Sequence, residues 1–332
     1  MTMKLPRRTF LQLAAGAASL PAVSHFAEAQ IWPGRQITLI APWPAGGAVD
    51  ALCRIMAPGL AERLGKPIVV ENRPGAGSVL GTAAGVKAAP DGYTLTMAGS
   101  GSLAIGVTLN KSMPYNPLKD LVPIAFSGYI PFILVSNPSL PVHSVADLIN
   151  YAKNNPGKLS FASGGPGSPH HLLAELLKFM TGIEMTHIPY KGSAPALMDV
   201  IAGHVPLLFS DTIPSLPMIR EGKVRAIGVS TALRLPSAPD IPPIAEVGLP
   251  GFDASGWGMI VVPAGTPGEI VNKVYTAIKE LQGLADIRQQ IVRLGMVPAT
   301  SPPPDKLQSM IGSEIERWAK VIRQAGLAGS EG

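Results

Sequence analysis

The sequence predicts an α/β fold in two lobes, each a mostly parallel sheet flanked by helices. Three observations predict it. Short β-prone runs alternate with helical runs, Gly-rich turns lead from strands into helices, and one strand–turn–helix–strand pattern occurs twice, over 37–70 and 159–188. A length of 332 residues suits two domains, and 46% hydrophobic against 15% charged residues supplies apolar surface for their cores.

The first residues read as an export signal outside the fold. Lys4, Arg7 and Arg8 precede an uncharged stretch over 9–26, and Ala27-Glu28-Ala29 has the small-x-small pattern of a cleavage site, expected after Ala29. Arg7-Arg8-Thr9-Phe10-Leu11 resembles a twin-arginine signal, with Pro6 where such signals usually carry Ser or Thr, and a Sec signal is the alternative. The apolar run over 11–23 is shorter than the roughly 20 residues of a membrane span. Pro123, Pro131, Pro138 and Pro141 interrupt the other uncharged segment, 121–146, so the mature protein is expected to be soluble. Loss of the signal lowers the formal charge from +5 to about +3, which is no footprint for nucleic acid. Cys53 is the only cysteine, so no intramolecular disulfide can form, and beside Leu52, Ile55 and Met56 it reads as a core residue.

In order, the first unit is a strand over 37–40, a turn over 41–47, a helix over 49–64 closed by Gly65, and a strand over 68–70. A second Gly-rich turn over 73–78, a helix over 79–88, a strand over 93–97 and a turn over 99–102 follow. The second unit is a strand over 159–162, a turn over 163–168, a helix over 169–180 stopped by Thr181-Gly182, and a strand over 185–188. Uncharged β-prone segments at 130–135 and 257–262 read as two crossings between lobes, and helices over 267–281 and 304–325 return to the first lobe. The expected division is a signal at 1–29, a first lobe at 30–130 and 254–332, and a second lobe at 131–253, with a hinge and cleft between them.

Ligands of open α/β sheets sit beyond the carboxyl ends of the strands, where helix starts offer unpaired N–H groups and positive partial charge. Four turns qualify: the first carries Trp43, Ala45, Gly46 and Gly47, the second Ser78, the third Ser100, and the fourth Ser163, Gly167 and Ser168. Together they suit a small anion; the alternative is that their glycines merely close tight turns. Asp50 reads as a helix cap or a ligand contact, Lys191 as an anion partner or a solvated cation, and Asp211, after Ser210, as a ligand acceptor or a turn cap. His170 opens a helix and reads as a hydrogen-bonding residue of the turn or the ligand. His171 and Glu175 supply only two ligands where zinc uses three or four from protein, and His143, His187 and His204 lie in unrelated segments, so no metal is expected. No cofactor is expected either. The nucleophile elbow and the phosphate loop are missing, and Gly75-x-Gly77 reaches its third glycine at Gly81, one residue late for a dinucleotide fingerprint. These residues favour a binding protein over an enzyme; the alternative is an exported hydrolase or lyase acting on a carboxylate.

The segments 42–50, 70–78, 89–95 and 189–196 resemble the Bug-type extracytoplasmic solute receptors of tripartite tricarboxylate transporters, and the likeness runs in order from about Trp32 to Leu327. The resemblance implies a periplasmic, two-lobed Venus-flytrap protein. It would capture a small carboxylate, such as a dicarboxylic amino acid, citrate, nicotinate or an aromatic acid, and deliver it to integral membrane subunits. It further implies that backbone groups, small hydroxyls and ordered waters of the turn at 43–47 hold the ligand carboxylate. The turn at 163–168 would then close over it, with Ser100, Ser210 and Asp211 lining the cleft. Two features depart from the family pattern: Trp43 is bulky where the pocket is shaped, and Gly164-Gly165-Pro166 replaces more polar residues. A monomer is expected.

Overall fold

In each of two five-stranded sheets, four strands run one way and one is opposed. The computed structural model describes residues 32–330, so the export signal and its cleavage site lie outside the described residues. The strands are β1 (Ile37–Ala41), β2 (Ile68–Asn72), β3 (Thr94–Gly99), β4 (Leu121–Ile130), β5 (Phe132–Ser136), β6 (Ser160–Ser163), β7 (Thr186–Pro189), β8 (Leu207–Asp211), β9 (Arg225–Val229) and β10 (Gly256–Pro263). The first sheet has the order β2-β1-β3-β10-β4 and the second β7-β6-β8-β5-β9. β1 is parallel to β2 and β3, while β10 is antiparallel to both β3 and β4. Likewise β6 is parallel to β7 and β8, while β5 opposes β8 and β9. The opposed strand of each sheet is thus the one by which the chain enters that lobe.

The helices are α1 (Ala48–Leu64), α2 (Val79–Val86), α3 (Val145–Asn154), α4 (Pro169–Thr181), α5 (Ser193–Ala202), α6 (Thr212–Arg220), α7 (Gly268–Gly283), α8 (Ala285–Arg293) and α9 (Pro304–Gln324). α1 buries Val49, Leu52, Cys53, Met56, Leu60 and Leu64, spaced three or four apart so that they share one face. It stops at Gly65, whose φ of 75° a side chain would disfavour. That face packs under β1, β3 and β10 together with α7 and α8. The opposite face of the sheet is covered by α2 and α9, and α5 covers one face of the second sheet.

Three details differ from the sequence expectation. The segment 130–135 is two strands, because Pro131 has no N–H to continue a ladder. The segment 99–102 is no simple turn: β3 continues through Gly99, and Gly101–Ile105 winds into a π-type turn, a feature common at functional sites. Finally, α9 packs on β4 but also against α4, so Trp318, Val321 and Ile322 share one apolar cluster with Leu173 and Leu176 of the second lobe. The two crossings lie side by side, with Ser230 N–H donating to Phe132 O and Ala254 N–H donating to Ser230 O.

Candidate functional site

The strand register turns both lobes' carboxyl ends toward one another. Ile130 at the end of β4 pairs with Gly256 at the start of β10, and Asp211 at the end of β8 pairs with Phe132 at the start of β5. The turns that follow β1 and β3 therefore face those that follow β6 and β8.

In the first lobe the turn after β1 is held from behind. Asp50 Oδ2 accepts the Gly46 N–H at 2.9 Å and Arg54 Nε at 3.1 Å, and its Oδ1 accepts Asn72 Nδ2 at 2.8 Å. Asn72 also donates to Trp43 O at 3.1 Å. Burial alone would raise the Asp50 carboxyl, but these hydrogen bonds, Arg54 first, outweigh it and hold the group down at about 2. With Asp50 turned back on Gly46, no side chain caps α1 at its start, Gly47. The N–H groups of its first turn have no intrahelical acceptor, and the chain there is exposed at Gly47, half-buried at Ala48 and buried from Val49. Trp43 stands beside them as a wall: a Cβ at Gly99 would lie 2.9 Å from its ring, so that glycine makes room for the indole. Behind the wall, Ala76 and Ser78 adopt φ of 45° and 77°, and a Cβ on Gly101 would lie 2.7 Å from Gly77 O. Among the described residues the buried Ser78 hydroxyl has no hydrogen-bond partner. Ser100 is buried where β3 meets the π turn, and Ser102 Oγ accepts from Thr82 Oγ1 and from the Gly99 N–H.

The second lobe's turns are bonded to one another. Ser163 Oγ accepts the Gly165 N–H at 3.0 Å and Ser168 Oγ donates to Gly165 O at 2.7 Å. Ser168 also caps α4 by accepting the His171 N–H. The neighbouring turn is pinned alongside by Tyr190 N–H to Ser163 O and Gly192 N–H to Gly164 O. His170 is buried beneath Gly164, edge-on to Phe132 with centroids 5.3 Å apart, and among the described residues neither of its ring nitrogens has a partner aligned for a hydrogen bond. Its Nε2 lies 3.3 Å from Asp211 Oδ1. Burial would raise the Asp211 carboxyl, but His170 and Ser193 hold it below the ordinary range. Across the cleft Gly167, at φ 67°, touches the first lobe: a Cβ there would lie 2.5 Å from Leu109 Cδ2. The space between Ser100, Phe132, Pro169 and Trp318 is about 10 Å³, roughly one water.

This architecture has relatives. Residues 52–327 match the model of the tripartite tricarboxylate transporter family receptor. The chain belongs to that receptor family. It is 40% identical over 299 residues to Protein BugT of Bordetella pertussis, which covers 90% of this chain and 91% of BugT. Among solved structures it is similar to R. palustris Rpa4515 with adipate, with a TM-score of 0.77, 37% identity and coverage of 90% and 99% of the two chains. It is also similar to MatC (Rpa3494) of Rhodopseudomonas palustris with bound malate, with a TM-score of 0.72, 32% identity and coverage of 88% and 100%. The protein is therefore a solute-binding receptor of a periplasmic family and not an enzyme. Among the described residues, no helix is long and apolar enough to cross a membrane.

The structure places most of the expected residues in two groups. Trp43, Ala45, Gly46, Gly47, Ser78 and Ser100 gather at the strand ends of the first lobe; Ser163, Gly167, Ser168, His170, Lys191, Ser210 and Asp211 gather at those of the second. Their availability differs. Asp50 sits behind its turn as a brace, the Ser163 and Ser168 hydroxyls are engaged inside theirs, and Ser210 is buried with Oγ directed at Asp211 O at 3.4 Å. Lys191 is exposed. Sequence reasoning passed over Asn72, the tie between two turns, and His187, which stacks on His171 with ring centroids 3.7 Å apart. Asn72 lies two residues past the end of the strand expected over 68–70, and the structure extends β2 to include it. The His187 contact depends on the pairing of β6 with β7, which no local pattern reveals.

Proposed function

We propose that this receptor captures a small carboxylate between its lobes and hands it to the integral membrane subunits of a tripartite tricarboxylate transporter. The observation that carries the reading is the open start of α1. Its unfilled N–H groups and positive dipole end face the second lobe, and the carboxylate that would otherwise cap them, Asp50, is bonded to Gly46, Arg54 and Asn72 instead. A ligand carboxylate takes the place of the missing cap. Gly46, Gly47 and Ala45 present backbone to it, Trp43 walls the pocket, and the orphaned Ser78 hydroxyl and Ser100 supply hydroxyls from below. The turn at 163–168, with Gly167, Ser168, His170 and Lys191, covers the ligand as the lobes close, and Ser210 and Asp211 line the far wall. Closure removes the charge from water, which strengthens each hydrogen bond to it. In the same reading the lobes divide at 30–130 with 254–332 and at 131–253. The mature chain starts after Ala29 in the periplasm and works as a monomer.

The relatives crystallised with adipate and malate support a carboxylate ligand. The test is a thermal-shift screen of the mature chain, refolded to strip co-purified ligand, against mono-, di- and tricarboxylates and aromatic acids at pH 7.5. A true ligand at about 100 times its Kd raises stability by about 2.7 kcal/mol and is recovered unchanged by mass spectrometry. No shift with any acid in the set sinks the carboxylate reading.

A further inference from the structure

Beneath the turn at 163–168 lie two imidazoles stacked face to face. His171 of α4 and His187 of β7 have ring planes inclined by 10° and centroids 3.7 Å apart, and Phe161 of β6 stacks with both, at 6.0 and 5.1 Å. Each imidazole holds one end of the turn. The Gly167 N–H donates to His171 Nδ1 at 3.1 Å, and Ser163 Oγ lies 2.6 Å from His187 Nε2. On its other edge, His171 Nε2 faces Glu175 Oε1 at 3.7 Å, and that oxygen also accepts from Lys178 Nζ at 2.8 Å.

These contacts fix where the protons sit. Because an amide N–H can only donate, His171 Nδ1 must be bare, which puts the ring proton on Nε2 toward Glu175. Protonation of Nδ1 would set one donor against another and release Gly167. The stack resists a second charge as well: burial first, then the neighbouring His171, push His187 down to about 4. The charged groups facing the pair are Glu175 and Lys178, both from α4, while β6 contributes Phe161 and the Ser163 hydroxyl. α9 sets Glu316, Arg317 and Lys320 near a different face of α4, beside Leu176 and Phe179.

We infer that His171 and His187 are positioning residues for ligand capture: as a stacked pair they hold the 163–168 turn in the shape that closes over a carboxylate, so that losing the His171 acceptor weakens binding. The inference rests on the reading that this turn covers the ligand. Neither ring touches the ligand in this account; both act through Ser163 and Gly167.

The test compares the wild-type mature chain with His171→Asn, whose Oδ1 takes the place of the Nδ1 acceptor, and His171→Phe, which keeps a flat ring but loses that acceptor. The probe is the acid giving the largest shift in the pH 7.5 screen, followed by calorimetry at pH 7.5, with the Gly167 amide resonance compared among the three proteins. His171→Asn should bind within about threefold of wild type and keep the Gly167 amide resonance near its wild-type position. His171→Phe should bind about tenfold more weakly and move that resonance toward the position of an N–H without a protein acceptor. If His171→Phe is folded and matches wild type in affinity, or if its Gly167 amide resonance stays at the wild-type position, the inference is wrong while the carboxylate reading stands. If wild type binds no acid at pH 7.5, the carboxylate reading fails and the inference falls with it.

Discussion

Two helix starts face each other across the cleft and are finished in opposite ways. α4 begins with a capping Ser168 and Pro169, so its first N–H groups are answered by a hydroxyl or, at proline, absent. α1 begins at Gly47 with no side-chain cap, and the one carboxylate within reach is turned back to brace Gly46. The first lobe thus leaves its backbone unsatisfied, and the second satisfies its own. Such asymmetry suits a division of labour in which one lobe holds the charge of a ligand and the other supplies a shaped cover.

The sharpest way to break this comparison is to remove a donor from the open side. Gly47→Pro is sterically compatible, since Gly47 has φ of −77°, and it deletes one N–H without touching the Asp50 brace. Loss of one charge-assisted hydrogen bond is expected to cost about 2 kcal/mol, roughly 30-fold in Kd by calorimetry. An unchanged Kd would count against backbone capture. The cover is tested next, by Gly167→Val, which sets a branched side chain against Leu109 at a positive φ. Affinity should fall about tenfold, and the ligand-induced compaction seen by small-angle scattering in the wild type should vanish. Asp50→Asn sharpens the distinction between bracing and binding. It places an amide among three donors and should lower stability by about 1–3 kcal/mol, visible as a drop in Tm. Because the folded carboxyl sits at about 2 against an ordinary 3.8, its stabilisation is complete above pH 3.8 and fades as the pH falls toward 2. The wild type should show that slope in acid unfolding and the variant should lack it. The smallest effect is expected from Lys191→Ala. This exposed cation is screened by solvent, and its loss should change Kd less than about threefold at physiological salt.

How much of this was legible in the sequence depended on range. Strand, turn and helix over 37–65 announce themselves because the apolar spacing changes from two to between three and four, and Gly65 marks the stop. The return crossing at 257–262 was legible as an uncharged β-prone run, although its place between β3 and β4 was not. α8 went unread: the expected helix stopped at 281, whereas α7 runs through Gly283 and only Leu284 separates it from α8. In the site, Asp50 was expected to cap a helix start or to meet the ligand, and it leaves α1 uncapped. Which N–H it takes, Gly46 outside the helix, depended on Arg54 and Asn72 arriving from two other directions. His171 and His187 look unrelated along the chain and become neighbours only because Phe161 and His187 pair across β6 and β7.

The place of β10 has a consequence for how the chain assembles. Every strand of the second sheet comes from one contiguous stretch between β5 and β9, so that sheet can close from its own neighbours. The first sheet cannot, for its interior strand pairs Gly258 with Gly99, on the order of 160 residues earlier, and a loop of that length must be closed before the pairing stabilises anything. During synthesis β1 to β4 must therefore wait, with one edge of β3 unpaired and β4 without a partner strand, while the inserted lobe folds ahead of the lobe that surrounds it.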